Sequence, residues 1–311
     1  MQQTISKLYS YKPLKSYIGL EGKIPIRNKD VMMGIELEIE NTKPIYKISS
    51  CKTENDGSLK VSGCEFITIP IKLRFLEIEL HRILDHQKKF ALSSKRCSTH
   101  VHMNVRDMTH IQIKNLILVY VVFERALYRF SGDRWQNNFC VPLTNTPDMV
   151  QNLLKKPDHL RWSWSKYTGL NLSPIWGGES KVKLGTVEFR QMEGTFDVDK
   201  IIHWCNLIAA LKRYAQQTTL GNIVNTINRL SVEKNFVAFA KNVFGSLAYS
   251  LTTEESFVKD CETYIASAKI AASVTLDEER KTPAYTIVES KEKSKTKKSE
   301  IKFVSIDDIT F

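Results

Sequence analysis

Three segments of the chain alternate apolar and ionisable residues. Val31 to Glu40 sets Ile35, Leu37 and Ile39 between Glu36, Glu38 and Glu40. Thr99 to Val105 sets Val101 and Met103 against His100 and His102, and Lys183 to Gln191 sets Val187 and Phe189 against Glu188 and Arg190. A period of two is the strand period, so each segment sends apolar side chains to one face and ionisable ones to the other. A fourth strand is predicted at Cys64 to Ile69, after the turn signal Asn55-Asp56-Gly57-Ser58 and before Pro70. Elsewhere the period is helical. Leu76, Leu80, Ile83 and Leu84 predict a helix over 75–90, and Ile201, Trp204, Ile208 and Leu211 predict one from an Asp197 cap to about Tyr214. Between them, a helix capped by Asp107 or Thr109 runs to about Phe130. It is apolar nearly all round at Leu116–Phe123, which predicts burial. Beyond residue 220 only helical patterns occur, with Thr252 and Glu255 at capping-box spacing.

Alternating strands, rather than wholly apolar ones, favour an α+β fold: an antiparallel sheet with helices packed on one face. The expected organisation is an N-terminal extension (1–30), a main domain (31–215), a helical appendage (216–285) and a basic flexible tail (286–311). Residues 131–180 are looser and hold four of the five tryptophans.

Bulk properties narrow the function. With 311 residues, 42% hydrophobic and 25% charged, the chain is an ordinary globular sequence able to bury a large core. The net charge of +11 favours anionic partners, although the tail at 289–302 supplies part of it, with six lysines against three glutamates. Six cysteines without a CxxC pair fit reduced thiols, and the first residues lack the apolar stretch of a secretory leader, so a cytoplasmic location is expected. No apolar run approaches the ~20 residues needed to span a bilayer. Neither GxxxxGK[ST] nor GxGxxG occurs, which argues against a P-loop or Rossmann nucleotide site.

The ionisable strand faces carry the candidate chemistry. Carboxylates two apart on a strand, such as Glu36 and Glu38, repel by roughly 2 kcal/mol at an effective dielectric of 20. A wet face tolerates this; a dry one needs cations, and Mg²⁺ is the natural choice for hard oxygen donors. His100 and His102 suit a transition metal, a phosphate, or simply a satisfied pair on a strand. Glu188 beside Arg190 pairs a metal ligand with a bidentate phosphate or carboxylate clamp, or makes a plain ion pair. Glu65, Arg134 and Lys166 taken singly read as surface residues. Phe139, Trp162, Trp164 and Trp176 near Lys155, Lys156 and Arg161 would permit single-stranded nucleic-acid binding, but core packing is the commoner use of such aromatics.

Jointly, the chain resembles a known family. Gly34-Ile35-Glu36-Leu37-Glu38, Asp56-Gly57-Ser58-Leu59, Gly63-Cys64-Glu65-Phe66, Thr99-His100-Val101-His102-Met103-Asn104, Asp133-Arg134, Lys166-Tyr167, Leu170-Asn171-Leu172 and Gly185-Thr186-Val187-Glu188-Phe189-Arg190 follow in the order of the amidoligase family. These proteins are related to carboxylate–amine ligases of the glutamine synthetase and glutamate–cysteine ligase fold. The resemblance covers roughly residues 31–215 and implies a bent antiparallel sheet around ATP and Mg²⁺ or Mn²⁺. It implies metal ligation by Glu36, Glu38, Glu65 and Glu188, and nucleotide contacts from His100, His102, Lys166 and Arg190. It also implies catalytic cations at Arg134, Lys166 and Arg190. Many relatives have Cys-Gly before the HxH strand, where this chain reads Arg96-Cys97-Ser98-Thr99. The implied activity joins a small-molecule or peptide carboxylate to an amine through an acyl phosphate, with no membrane partner. Two other readings remain: a guanidino-type small-molecule kinase on the same fold, and a non-catalytic basic module binding nucleic acid or protein. A partner for the C-terminal tail is a further expectation.

Overall fold

The computed structural model describes residues 2–14, 17–42, 48–60, 62–146, 166–177, 183–253 and 255–281, with side chains for all of these except 255–259 and 278–281. Trp162, Trp164, Lys155, Lys156, Arg161 and the tail at 286–311 lie outside the described residues.

The alternating segments form the middle of one antiparallel sheet. Its strands are β1 (Met32–Ile39), β2 (Cys51–Glu54), β3 (Cys64–Thr68), β4 (Ile71–Lys72), β5 (Ser98–Asn104), β6 (Leu170–Asn171) and β7 (Thr186–Glu193). Their order is β2-β3-β1-β5-β7-β6, with β4 paired to the start of β1. Strands β2, β4 and β6, of four, two and two residues, are too short for a period of two to show in sequence.

The helices are α1 (Leu73–Gln87), α2 (His110–Phe130), α3 (Val198–Gln217), α4 (Leu220–Asn228), α5 (Phe236–Phe244) and α6 (Glu255–Lys281), with single turns between some of them. Thr109, not Asp107, caps α2: its side chain accepts from the Gln112 amide at 3.2 Å, and Gln112 returns the bond. Asp107 instead receives the Lys212 ammonium at 2.7 Å. Asp197 caps α3 through the Lys200 amide at 3.0 Å. Thr252 is not the cap of the last helix. It closes the preceding turn, Tyr249–Thr252, and its hydroxyl donates back to the Ala248 carbonyl at 2.9 Å.

Helices cover the apolar face. Phe189 of β7 meets Tyr120 of α2 at 6.0 Å and Trp204 of α3 at 6.1 Å between ring centres. Residues 116–123 of α2 are wholly buried, as their all-round apolarity predicts. Helices α4 and α6 pack onto α2, and Phe123 is enclosed by Phe236, Phe239 and Phe244 at 5.3, 5.2 and 4.9 Å. One continuous apolar core therefore runs from Ile35 and Val101 to Ile265 and Ala272. The N-terminal segment straps this assembly. Tyr17 bonds Glu79, the Lys23 and Ile24 amides bond Glu77, and Arg27 donates to the Phe244 carbonyl at 3.0 Å.

Because Phe123 joins the sheet-facing helices to the C-terminal ones, Phe123→Ala should cost about 3–5 kcal/mol in urea unfolding. Far-ultraviolet circular dichroism and tryptophan fluorescence should report one shared transition. Two separate transitions would show that the C-terminal helices fold as an independent unit.

Candidate active site

Strand register brings the ionisable residues together. In β1–β5, Glu36 lies opposite His100 and Gly34 opposite His102. In β1–β3, Glu38 lies opposite Glu65, and in β5–β7, His102 lies opposite Glu188. Between Thr99 and Val101 the β5–β7 register shifts, so Arg190 and Gln191 together face His100. Such a bulge bends a strand and re-aims its side chains.

His100 is the centre of the cluster. Its Nδ1 lies 3.2 Å from Glu36 and 3.5 Å from Glu188, and its Nε2 lies 3.9 Å from Glu38. His102 Nε2 lies 3.1 Å from Glu36 and 3.9 Å from Glu188. Arg190 pairs with Glu188 and also donates to the Phe139 carbonyl at 3.3 Å. Glu38, His100, His102 and Glu188 are each at most 8% exposed.

Two donor sets have cation-binding geometry: Glu36, His100 and Glu188, and Glu38, Glu65 and His100. In each, one ligand atom per residue lies within 4.8 Å of the others. Like charges directly opposite on paired strands are destabilising. At that separation, Glu38 and Glu65 repel by about 3 kcal/mol at an effective dielectric of 20. That repulsion favours a proton on one of the two carboxylates. Burial, with the Glu36 and Glu38 charges, pushes the Glu65 carboxyl up to about 9. Glu36 behaves oppositely: burial opposes its charge, but His102 and His100 overrule that and hold it well below the usual carboxylate range. Burial opposes a charge on His102, but Glu36 and Glu188 raise it above the ordinary imidazole value. Hard carboxylates plus one imidazole, with a proton standing in for missing positive charge, suit Mg²⁺ or Mn²⁺.

The contacts described for the remaining candidates, Arg134, Lys166 and Glu40, lie outside this centre. Arg134 donates to the Met192 carbonyl at 3.0 Å and leaves its buried Nε without a hydrogen-bond partner. The Cys140 thiol lies 3.6 Å from the Arg134 carbonyl. Lys166 is exposed, its ammonium 5.2 Å from the Tyr167 ring centre; Tyr167 meets Phe139, whose carbonyl holds Arg190. Glu40 does not join. Arg96 holds it at 2.8–3.0 Å and the Lys60 amide at 2.8 Å, so it closes the end of β1.

Three polar residues of the site escape single-residue reasoning. Ser98 bonds Glu38 and lies 2.8 Å from His100 Nε2. Thr186 Oγ1 and His102 Nδ1 share a hydrogen bond at 3.0 Å, and Asn171 donates to Glu188 at 2.7 Å. Ser98 and Thr186 continue the same period of two as 100, 102, 188 and 190, which is the signal that would have found them.

The fold and cluster define an α+β protein whose sheet face gathers carboxylates and imidazoles that could hold a cation. Residues 45–212, more than half of the chain, match the family described as putative amidoligase enzyme, and the chain belongs to that family. No curated protein matches it. The matched segment includes Glu65, His100, His102, Arg134, Lys166, Glu188 and Arg190; Glu36 and Glu38 on β1 precede it.

Metal binding should displace the Glu65 proton. The raised Glu65 value favours the cation-free fold most below about pH 4.5, and that contribution is lost as pH rises toward 9. The rise in melting temperature caused by Mn²⁺ should therefore be larger at pH 8.5 than at pH 6.5, with protons released on binding. A Mn²⁺ shift that is equal at both pH values, or absent, would rule out this linkage.

Proposed function

We propose that the protein is an ATP- and divalent-cation-dependent ligase that joins a carboxylate to an amine through an acyl phosphate, on a sheet of the glutamine synthetase type. Membership of the amidoligase family supports a ligase-type enzyme. The observation that carries the finer reading is His100, a buried imidazole within 3.9 Å of Glu36, Glu38 and Glu188, with Arg190 on the outer side of Glu188. Glu36, Glu38, Glu65 and Glu188, with His100, would hold the Mg²⁺ or Mn²⁺. A bound divalent cation supplies neutralisation of phosphoryl oxygens. His102, Lys166 and Arg190 would contact the nucleotide phosphates, and Arg134 with Arg190 would hold the reacting carboxylate.

In this scheme a carboxylate oxygen takes the terminal phosphoryl group and ADP leaves. The amine then attacks the acyl carbon, phosphate departs and the amine loses a proton. The protein's contribution is placement and charge, with no covalent nucleophile. Cys140 fits that: burial pushes its thiol above the usual range, so it stays protonated beside the site. The substrates in this reading are small-molecule or peptide carboxylates and amines. Among the described residues, no helix is long and apolar enough to cross a membrane. The described cysteines are unpaired, which supports a reducing, cytoplasmic setting.

Incubation with ATP, Mg²⁺, hydroxylamine and a panel of carboxylic acids should yield a hydroxamate together with one phosphate per ADP. Phosphate retained on the organic product would replace the ligase with a kinase. Arg190→Lys keeps the charge but loses the planar fork, and should lower turnover about 10²-fold. Near-normal turnover in a folded Lys variant would leave Arg190 as an ion-pair partner of Glu188 only.

A further inference from the structure

Helix α2 is apolar around most of its length, yet it carries three polar side chains in one stripe. Tyr120, Glu124 and Tyr128 are spaced four apart, so they share a face, and all are buried. A buried carboxylate and two buried phenols are costly unless partnered. Here their partners lie in the segments that carry the site's cations.

Glu124 accepts the backbone amides of Leu143 at 2.5 Å and Thr144 at 3.0 Å. Tyr120 accepts from the Gln191 amide group at 3.1 Å. Gln191 is the neighbour of Arg190 in the bulge facing His100. Tyr128 donates to the Cys140 carbonyl, one residue after the carbonyl that holds Arg190. The loop so fixed is stitched to the Lys166 segment: the Val141 amide donates to Tyr167 at 2.8 Å, and the Gly169 amide to Val141 at 2.9 Å. Gly169 then accepts the Arg190 backbone amide at 2.9 Å. Only glycine fits there, because an added Cβ would stand 2.2 Å from the Tyr128 hydroxyl and 3.1 Å from that of Tyr120.

We propose that Tyr120, Glu124 and Tyr128 are positioning residues that hold Arg190 and the Lys166 segment against the carboxylate–imidazole cluster. The inference rests on the nucleotide reading of that cluster. It divides the site in two: a cation-binding half set by β1, β3, β5 and Glu188 of β7, and a phosphate-facing half hung on α2. Buried polar contacts of this kind strengthen one another in a low dielectric and favour one geometry; Gln191 Oε1 and Thr144 Oγ1 are left without a hydrogen-bond partner among the described residues.

Glu124→Gln puts an amide N–H against the two backbone donors, and Tyr128→Phe removes one hydroxyl without adding volume. The full-length variants should bind Mn²⁺ within about twofold of wild type by electron paramagnetic resonance. Their affinity for a non-hydrolysable ATP analogue in saturating Mn²⁺ should fall at least about tenfold. Nucleotide affinity within about twofold of wild type in both folded variants overturns the proposal. So does a parallel loss of Mn²⁺ affinity and melting temperature, which would make the stripe a general element of stability. If wild type binds no analogue, the proposed function fails, and amide hydrogen exchange decides the anchoring on its own. Faster exchange at Leu143, Gly169 and Arg190 in Glu124→Gln, with β1 unchanged, supports it; unchanged exchange at those amides overturns it.

Discussion

The site depends on the pairing of β1 with β5. That register sets Glu36 opposite His100 in the middle of the sheet, with Glu38 and Glu65 on one side and Glu188 on the other. A slip of one residue would turn the whole acidic set toward the helices and the apolar set outward. The burial of Ile35, Leu37, Val101 and Met103 under the helices opposes such a slip. The hydrophobic face therefore fixes the position of the charged one.

Gathering buried carboxylates is electrostatically unfavourable, and the protein answers in three ways. Imidazoles at His100 and His102 bridge the acids, Arg190 pairs with Glu188, and Glu65 retains a proton. The first two are built into the fold. The third is exchangeable, and a divalent cation is the natural replacement. The donors of this face thus converge where a cation would bind.

Arg190 reaches the cluster by a different route. Arg190 leans in from a bulge, and Lys166 is tied to it through Tyr167 and Phe139. Both are backed by the polar stripe of α2, and the neighbouring face of that helix is packed around Phe123 by Phe236, Phe239 and Phe244. The helices beyond residue 216 thus buttress α2 in the shared core while making none of the described cluster contacts.

The alternating strands, the helices at 75–90, 110–130 and 197–214, and nearly all the acidic and imidazole candidates were legible in the sequence. Local periodicity is a property of neighbouring residues, and burial of one face acts on each strand separately. Motif order added Arg134 and Lys166. The short strands, the pairing of Arg96 with Glu40, the bulge at Arg190 and the Glu124 network were not legible, although Glu40's place at the end of its strand already set it apart from the other acids. Each requires partners distant in sequence: Glu40 and Arg96 are 56 residues apart, and Gln191 and Tyr120 are 71 apart. The sequence alone determined which residue types share a strand face. Tertiary structure decided which faces meet and which ions pair, because pairing energies depend on distance and burial that exist only after the sheet has closed on its helices.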